Sequence, residues 1–137
     1  IVSLFAAVAY VQTFERLSAT FGRLAAHLAP GGLMLIEPFF TPTSYWEGHV
    51  KANFIEDADV RMAWMYRQDR QGDTAVLDIH HLVATESEVV SFTDRHQIGL
   101  FSEDQFQAAF AANGLEGSFE APGRFHYGMW RVRRAAA

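Results

Sequence analysis

The stretch HLAPGGLMLIEPFF, residues 27–40, decides how this chain folds. It leaves a segment of helical periodicity, breaks at Pro30-Gly31-Gly32, runs apolar from Leu33 through Ile36, and stops at Glu37-Pro38-Phe39-Phe40. Proline cannot continue a helical ladder and glycine accepts the left-handed exit, so a helix ends here. The run LMLIE, residues 33–37, is then a strand. A strand apolar on successive residues is buried on both faces, the habit of parallel sheets covered by helices.

Upstream, Phe14, Leu17, Phe21, Leu24, Ala25 and Leu28 recur at three- and four-residue spacing and predict an amphipathic helix over 13–29. Thr13 suits its N-cap, while Arg16 cannot complete a capping box. Residues 1–8 are small or β-branched and apolar and read as a first buried strand, a pattern that a buried helix shares. Strand, helix and strand at this spacing make a parallel crossover, right-handed by rule.

Downstream, residues 43–58 mix aromatics, charges and a glycine without a period and read as a segment covering a pocket. Three strand-like runs follow at 60–69, 75–85 and 89–101, separated by polar turns, and predict an antiparallel meander over about 59–101. SEDQFQAAFAANGL then gives a helix with a Ser102/Gln105 capping box, Glu103 and Asp104 at its positive end, and Gly114 at its exit. EGSFEA and FHYGMWRV, around Pro122-Gly123, are a last pair of strands, and RRAAA is expected to fray.

A length of 137 residues suits one domain, 1–137, and half the residues are hydrophobic. Net charge is −5 with no basic run, which argues against nucleic acid. The absence of cysteine removes disulfides, thiolate zinc sites and thiol nucleophiles, and fits a cytoplasmic protein. No stretch reaches the roughly 18 apolar residues of a membrane span. The opening IVSLFAAVAY lacks the basic start of a signal peptide, and a core strand beginning so abruptly is expected to have sequence missing ahead of it. Twelve phenylalanines, three tryptophans and four tyrosines imply a heavily packed core or a pocket lined with rings. His80 and His81 are neighbours in a strand and point to opposite faces, so no metal site is expected. There is no Gly-x-Gly-x-x-Gly loop and no Gly-x-Ser-x-Gly elbow.

Glu37 falls at the carboxyl edge of the predicted parallel sheet, where ligands bind in open α/β folds, although a solvated carboxylate beside a strand-ending proline would look the same. Tyr10 follows the first predicted strand and faces the same crevice, as a site residue or as a core ring with its hydroxyl in water. Arg124 follows Pro122-Gly123 and is either a bidentate partner for an anion or a surface arginine.

Together these stretches resemble the class I S-adenosylmethionine-dependent methyltransferases, and most closely the sugar N,N-dimethyltransferases that act on nucleotide-linked aminodeoxysugars. VSLFAAVAYV is similar to that family's fourth strand and following loop. LAAHLAPGGLMLIEPFFTP is similar to the next helix, turn and fifth strand, and the segment LDIHHL to AANGL to the inserted meander and the helix after it. GRFHYGMW matches a Gly-Arg turn into the last strand. The resemblance implies an α/β fold, the C-terminal half of a Rossmann-like sheet, with core segments 1–42 and 102–134 around the meander. The family's glycine-rich loop and its acidic cofactor residues precede this region.

The resemblance further implies S-adenosylmethionine as cofactor and a small-molecule amine as substrate, with no nucleic acid and no membrane. Leu4 and Phe5 would line the methionine end of the cofactor. Tyr10, where sugar-amine enzymes commonly carry histidine, would face the acceptor amine. Glu37, Phe39, Tyr45 and Trp46 would wall the sugar pocket, and Arg124 would hold the diphosphate. Two other readings stand beside this one. The meander, with Trp64, Met65 and Tyr66, could pair two copies into a homodimer. The fold could also serve a small-ligand binder without catalysis.

Overall fold

The computed structural model describes residues 1–123 and 126–135. They fall into two compact units, one formed by Ile1–Tyr45 with Ile98–Ala137 and the other by Trp46–Gln97.

The first unit holds a four-stranded sheet in the order β1-β2-β8-β7. Strands β1 (Val2–Ser3) and β2 (Met34–Ile36) run parallel, with Val2 opposite Leu35 and Ser3 opposite Ile36. They are joined through α1 (Phe14–His27), the crossover expected from the 27–40 stretch. Strand β8 (Met129–Arg134) lies antiparallel to β2, and β7 (Leu115–Glu120) antiparallel to β8. Thr13 Oγ1 accepts from the Arg16 N–H at 3.3 Å to start α1. In α2 (Glu103–Ala111) both halves of the Ser102/Gln105 capping box form, and Gly114 takes φ 64° past its end.

Burial follows the periodicity. Leu17, Phe21 and Ala25 turn one stripe of α1 inward, and Phe106, Ala109 and Phe110 do the same for α2. The rings of Phe21 and Phe110 meet edge-on at 4.7 Å, and Trp130 of β8 packs on Phe106, Phe110 and Phe119 at 5.6, 5.3 and 4.9 Å. Gly117 makes room for this cluster, because a Cβ there would meet the Phe110 ring at 2.7 Å. Asn113 ties the helices together by donating to the Ser18 and Ala109 carbonyls at 2.9 and 2.8 Å.

Three expectations for this unit need correction. The apolar run 1–8 is a strand only over Val2–Ser3; Ala7–Val11 is a 3-10 helix with Val8 and Ala9 buried. The run is not buried throughout either: Ile1, Val2, Leu4 and Phe5 are exposed, and within 1–8 only Ala6 and Val8 are buried. The last strand begins at Met129 rather than near 125, because Gly128 takes φ 82° against the Phe119 ring. Arg133 and Arg134 do not fray but end β8, where the Arg134 guanidinium donates to the Ala25 and Leu28 carbonyls at the C-terminus of α1.

The second unit is an antiparallel sheet in the order β3-β4-β5-β6. Strands β4 (Arg61–Gln71), β5 (Thr74–Ala84) and β6 (Val89–Gly99) correspond to the three predicted runs. Gly72, at φ 58°, helps turn β4 into β5, with Gln71 paired to Thr74. Strand β3 (Val50–Glu56) lies in the segment expected to be an irregular pocket cover. It is an edge strand exposed along nearly its whole length, so no apolar alternation betrays it. His80 and His81 do face opposite ways: His80 Nδ1 meets the Thr93 hydroxyl at 3.0 Å, and His81 stacks on Phe92. On the exposed surface Arg95 donates two 2.7 Å hydrogen bonds to Asp78.

Two outcomes follow. Gly117→Ala should destabilise the first unit by about 1–3 kcal/mol through overpacking, read as a lower midpoint in urea unfolding. The Arg95 hydrogen bonds hold the Asp78 carboxyl below its ordinary value of 3.8. The stabilisation from this pair is therefore present above the ordinary carboxylate pKa and is lost as pH falls through the lowered one. NMR titration of Asp78 should show that depressed midpoint, and Arg95→Gln should move it back up.

Candidate functional site

Strand β2 ends where proline removes its next donor, and the chain there does two separate things. The Glu37 N–H donates to the Ser3 carbonyl at 2.8 Å, completing the parallel ladder. The Glu37 side chain then turns back over the end of β1, where its Oε2 accepts the Phe5 N–H at 2.6 Å. The carboxylate is buried, the whole residue being 8% exposed.

That contact falls where the backbone is strained. Phe5 and Ala6 take φ 54° and 58°, the left-handed region, which costs a residue other than glycine about 1–3 kcal/mol. A hydrogen bond to a charged acceptor contributes about 1.5–3 kcal/mol, enough to offset much of that strain. The Ala7 and Ala9 amides then bond the Leu4 and Ala6 carbonyls and wind the 3-10 helix that carries Tyr10. Leu4, Phe5 and Tyr10 all keep exposed apolar surface, Phe5 most of all at 86%.

One residue past Glu37 begins a cavity of about 300 Å³ within the first unit. Pro38, Phe39 and Phe40 form one wall, Phe101 and Phe106 another, and Trp130 and Tyr127 close it. Phe39 and Phe40 pack edge-on at 5.0 Å, and Tyr127 meets their rings at 5.3 and 4.9 Å. Behind them the buried Tyr45 touches both, at 6.1 and 5.9 Å. The segment that follows closes on itself: the Thr41 N–H donates to Ser44 Oγ at 2.9 Å and the Ser44 N–H to Thr41 Oγ1 at 3.1 Å. Polar groups on the wall are few, chiefly Thr41, Ser44, Glu103 and His126. Such a cavity holds a small ring by stacking and fixes it with a handful of polar contacts.

The residues singled out from sequence thus fall into separate places. Phe39 lines the cavity and Tyr45 supports its rings. Glu37 faces the loop after β1, and Leu4, Phe5 and Tyr10 are carried on that loop and its helix. Trp46 belongs to the second unit, where it is exposed and stacks on His49 at 4.6 Å. Arg124 lies outside the described residues. Sequence reasoning missed Phe40, Phe106, Tyr127 and Trp130 as cavity walls. Their signal was the surplus of aromatic residues, which does not say which rings are core and which line a space.

No protein-family model matches the chain. A dTDP-3-amino-3,4,6-trideoxy-alpha-D-glucopyranose N,N-dimethyltransferase of Streptomyces venezuelae is 34% identical over 116 residues, 84% of this chain and 49% of its own length. The crystal structure of Streptomyces venezuelae DesVI superposes with a TM-score of 0.91 at 32% identity, covering 98% of this chain and 57% of that one. A SAM-bound amino pentose methyltransferase from Micromonospora echinaspora superposes at 0.88 with 27% identity, over 98% and 57% of the two chains. The chain spans about half the length of the curated relatives it matches. It is homologous to the C-terminal half of sugar N,N-dimethyltransferases and has the fold of that half of a class I methyltransferase.

A ring-lined cavity of this size should admit a neutral aromatic probe. Indole at millimolar concentration should shift the NMR signals of Phe40, Tyr127 and Trp130 and leave those of β5 unmoved. Uniform or absent shifts would show that the space does not accept rings.

Proposed function

We propose that this chain is the acceptor-binding half of an S-adenosylmethionine-dependent methyltransferase that methylates the amine of a nucleotide-linked deoxysugar. The observation that carries the reading is the aromatic cavity opening just past the carboxyl end of β2, in a chain homologous to sugar N,N-dimethyltransferases. Ligands of open α/β sheets bind at that edge. In this reading residues 1–42 and 102–134 are the partial catalytic core and about 59–101 the insertion.

The cofactor supplies an electrophilic methyl group on a sulfonium. The exposed apolar side chains of Leu4 and Phe5 at the end of β1 suit the methionine end of the cofactor. The acceptor amine must be neutral and aligned with the sulfur–methyl axis, so positioning does most of the work. Its N–C bond forms as the S–C bond breaks, and the amine proton then departs. Tyr10 orients the amine and relays that proton toward solvent. Phe39, backed by Tyr45, takes the apolar face of the sugar. Arg124, after Pro122-Gly123, pairs with the diphosphate.

The reading includes a cytoplasmic enzyme that pairs through the sheet of the second unit. Among the described residues no helix is long and apolar enough to cross a membrane. Phe54, Ala63 and Leu82 lie in one row across β3, β4 and β5, and Phe54, Leu82 and the neighbouring Met65 are each more than half exposed. Such a face favours a second copy over water.

The direct test is methyl transfer by the full-length protein. Supplied with S-adenosylmethionine and a nucleotide-linked amino deoxysugar, it should give an N-methylated sugar by mass spectrometry. Tyr10→Phe should lower kcat about 10- to 100-fold. The 137-residue chain by itself should not bind S-adenosylmethionine in the micromolar range by calorimetry, and tight binding would overturn the division of labour proposed. Sedimentation as a clean monomer at high concentration would remove the dimer.

A further inference from the structure

We infer that Glu37 is a positioning residue: its carboxylate holds the loop after β1 in the shape that presents Tyr10, and it is not the base that takes the amine proton. This rests on the methyltransferase reading above.

The geometry points away from a pocket wall. Glu37 Oε2 is engaged by the Phe5 N–H at 2.6 Å, and the residue is buried at 8% exposure. Glu37 is not among the residues lining the cavity, which begins one residue later at Pro38. The cavity wall carries other titratable groups, Glu103 and His126, so the role of base does not fall to Glu37 by default.

What Glu37 does hold is specific. Its oxygen meets the first of two consecutive residues in the left-handed region, Phe5 and Ala6. Those two set the chain direction in which the Leu4 and Ala6 carbonyls bond Ala7 and Ala9, and Tyr10 follows one residue later on the same 3-10 helix. The contact uses the backbone of residue 5 and no feature of its side chain. An acceptor oxygen at position 37 is therefore the requirement, and negative charge only strengthens it.

That distinction gives the test, since glutamine keeps the oxygen and loses the basicity while alanine loses both. Full-length wild type, Glu37→Gln and Glu37→Ala are compared by kcat and KM for the acceptor and by amide hydrogen exchange. With alanine, exchange over residues 4–12 should quicken about tenfold while α2 stays protected, and kcat should fall about 10- to 100-fold with KM for the acceptor little changed. With glutamine, both measures should stay within about threefold of wild type, where loss of a general base would cost a hundredfold or more. Glutamine as damaging to kcat as alanine, with normal exchange, would overturn the inference, and so would unchanged exchange over 4–12 in the alanine variant. If alanine prevents folding, the glutamine variant still decides. If wild type transfers no methyl group, the functional reading fails on its own, and the exchange comparison still reports whether Glu37 shapes the loop.

Discussion

The packing of one side chain, Trp130, underlies both the core and the cavity of the first unit. Its ring is 1% exposed and touches Phe106, Phe110 and Phe119, so α2 and β7 are both fixed against it. Its backbone faces Ile36 on one side and Phe119 on the other, which sets the register of β8 between β2 and β7. Aromatic pairs contribute about 0.5–1.5 kcal/mol each beyond the area they bury, so three at one ring form a strong local anchor. The same ring closes the cavity that begins at Pro38. Core packing and pocket shape are therefore not separable here, and a change that loosens one alters the other.

Around that anchor the sheet brings two chain segments to a common edge. The parallel pairing of β1 with β2 places the loop bearing Leu4 and Phe5 beside the Glu37-Pro38 step. Proline stops the strand, glutamate secures its neighbour, and the two phenylalanines turn into the cavity wall. The sequence EPFF thus carries three physical tasks in four residues, which is why a strand that reads as core ends on a carboxylate.

Much of this is legible in the amino-acid sequence. The periodicity of α1, its Thr13 cap, the capping box of α2 and the parallel crossover all follow from local rules, and the structure agrees on each. The failures have physical causes. Residues 1–8 look like a strand because small and β-branched apolar residues do not by themselves separate a strand from a helical turn, and here only Val2–Ser3 pairs. Strand β3 was invisible because an exposed edge strand need not alternate. The end of β8 read as a frayed tail because the partners of Arg134, the carbonyls closing α1, lie more than a hundred residues away. The direction of the Glu37 side chain was equally hidden, since its partner is a backbone amide and leaves no mark in sequence.

That last contact bears on how such a scaffold can diversify. Glu37 recognises residue 5 through its main chain, while the Phe5 side chain points almost wholly into solvent. Any residue with an amide hydrogen and tolerance for that backbone shape could replace Phe5 and keep the anchor. The side chain at position 5 can thus change while the hydrogen bond beneath it stays as it is, so the exposed surface at the end of β1 can be rewritten without refolding its support.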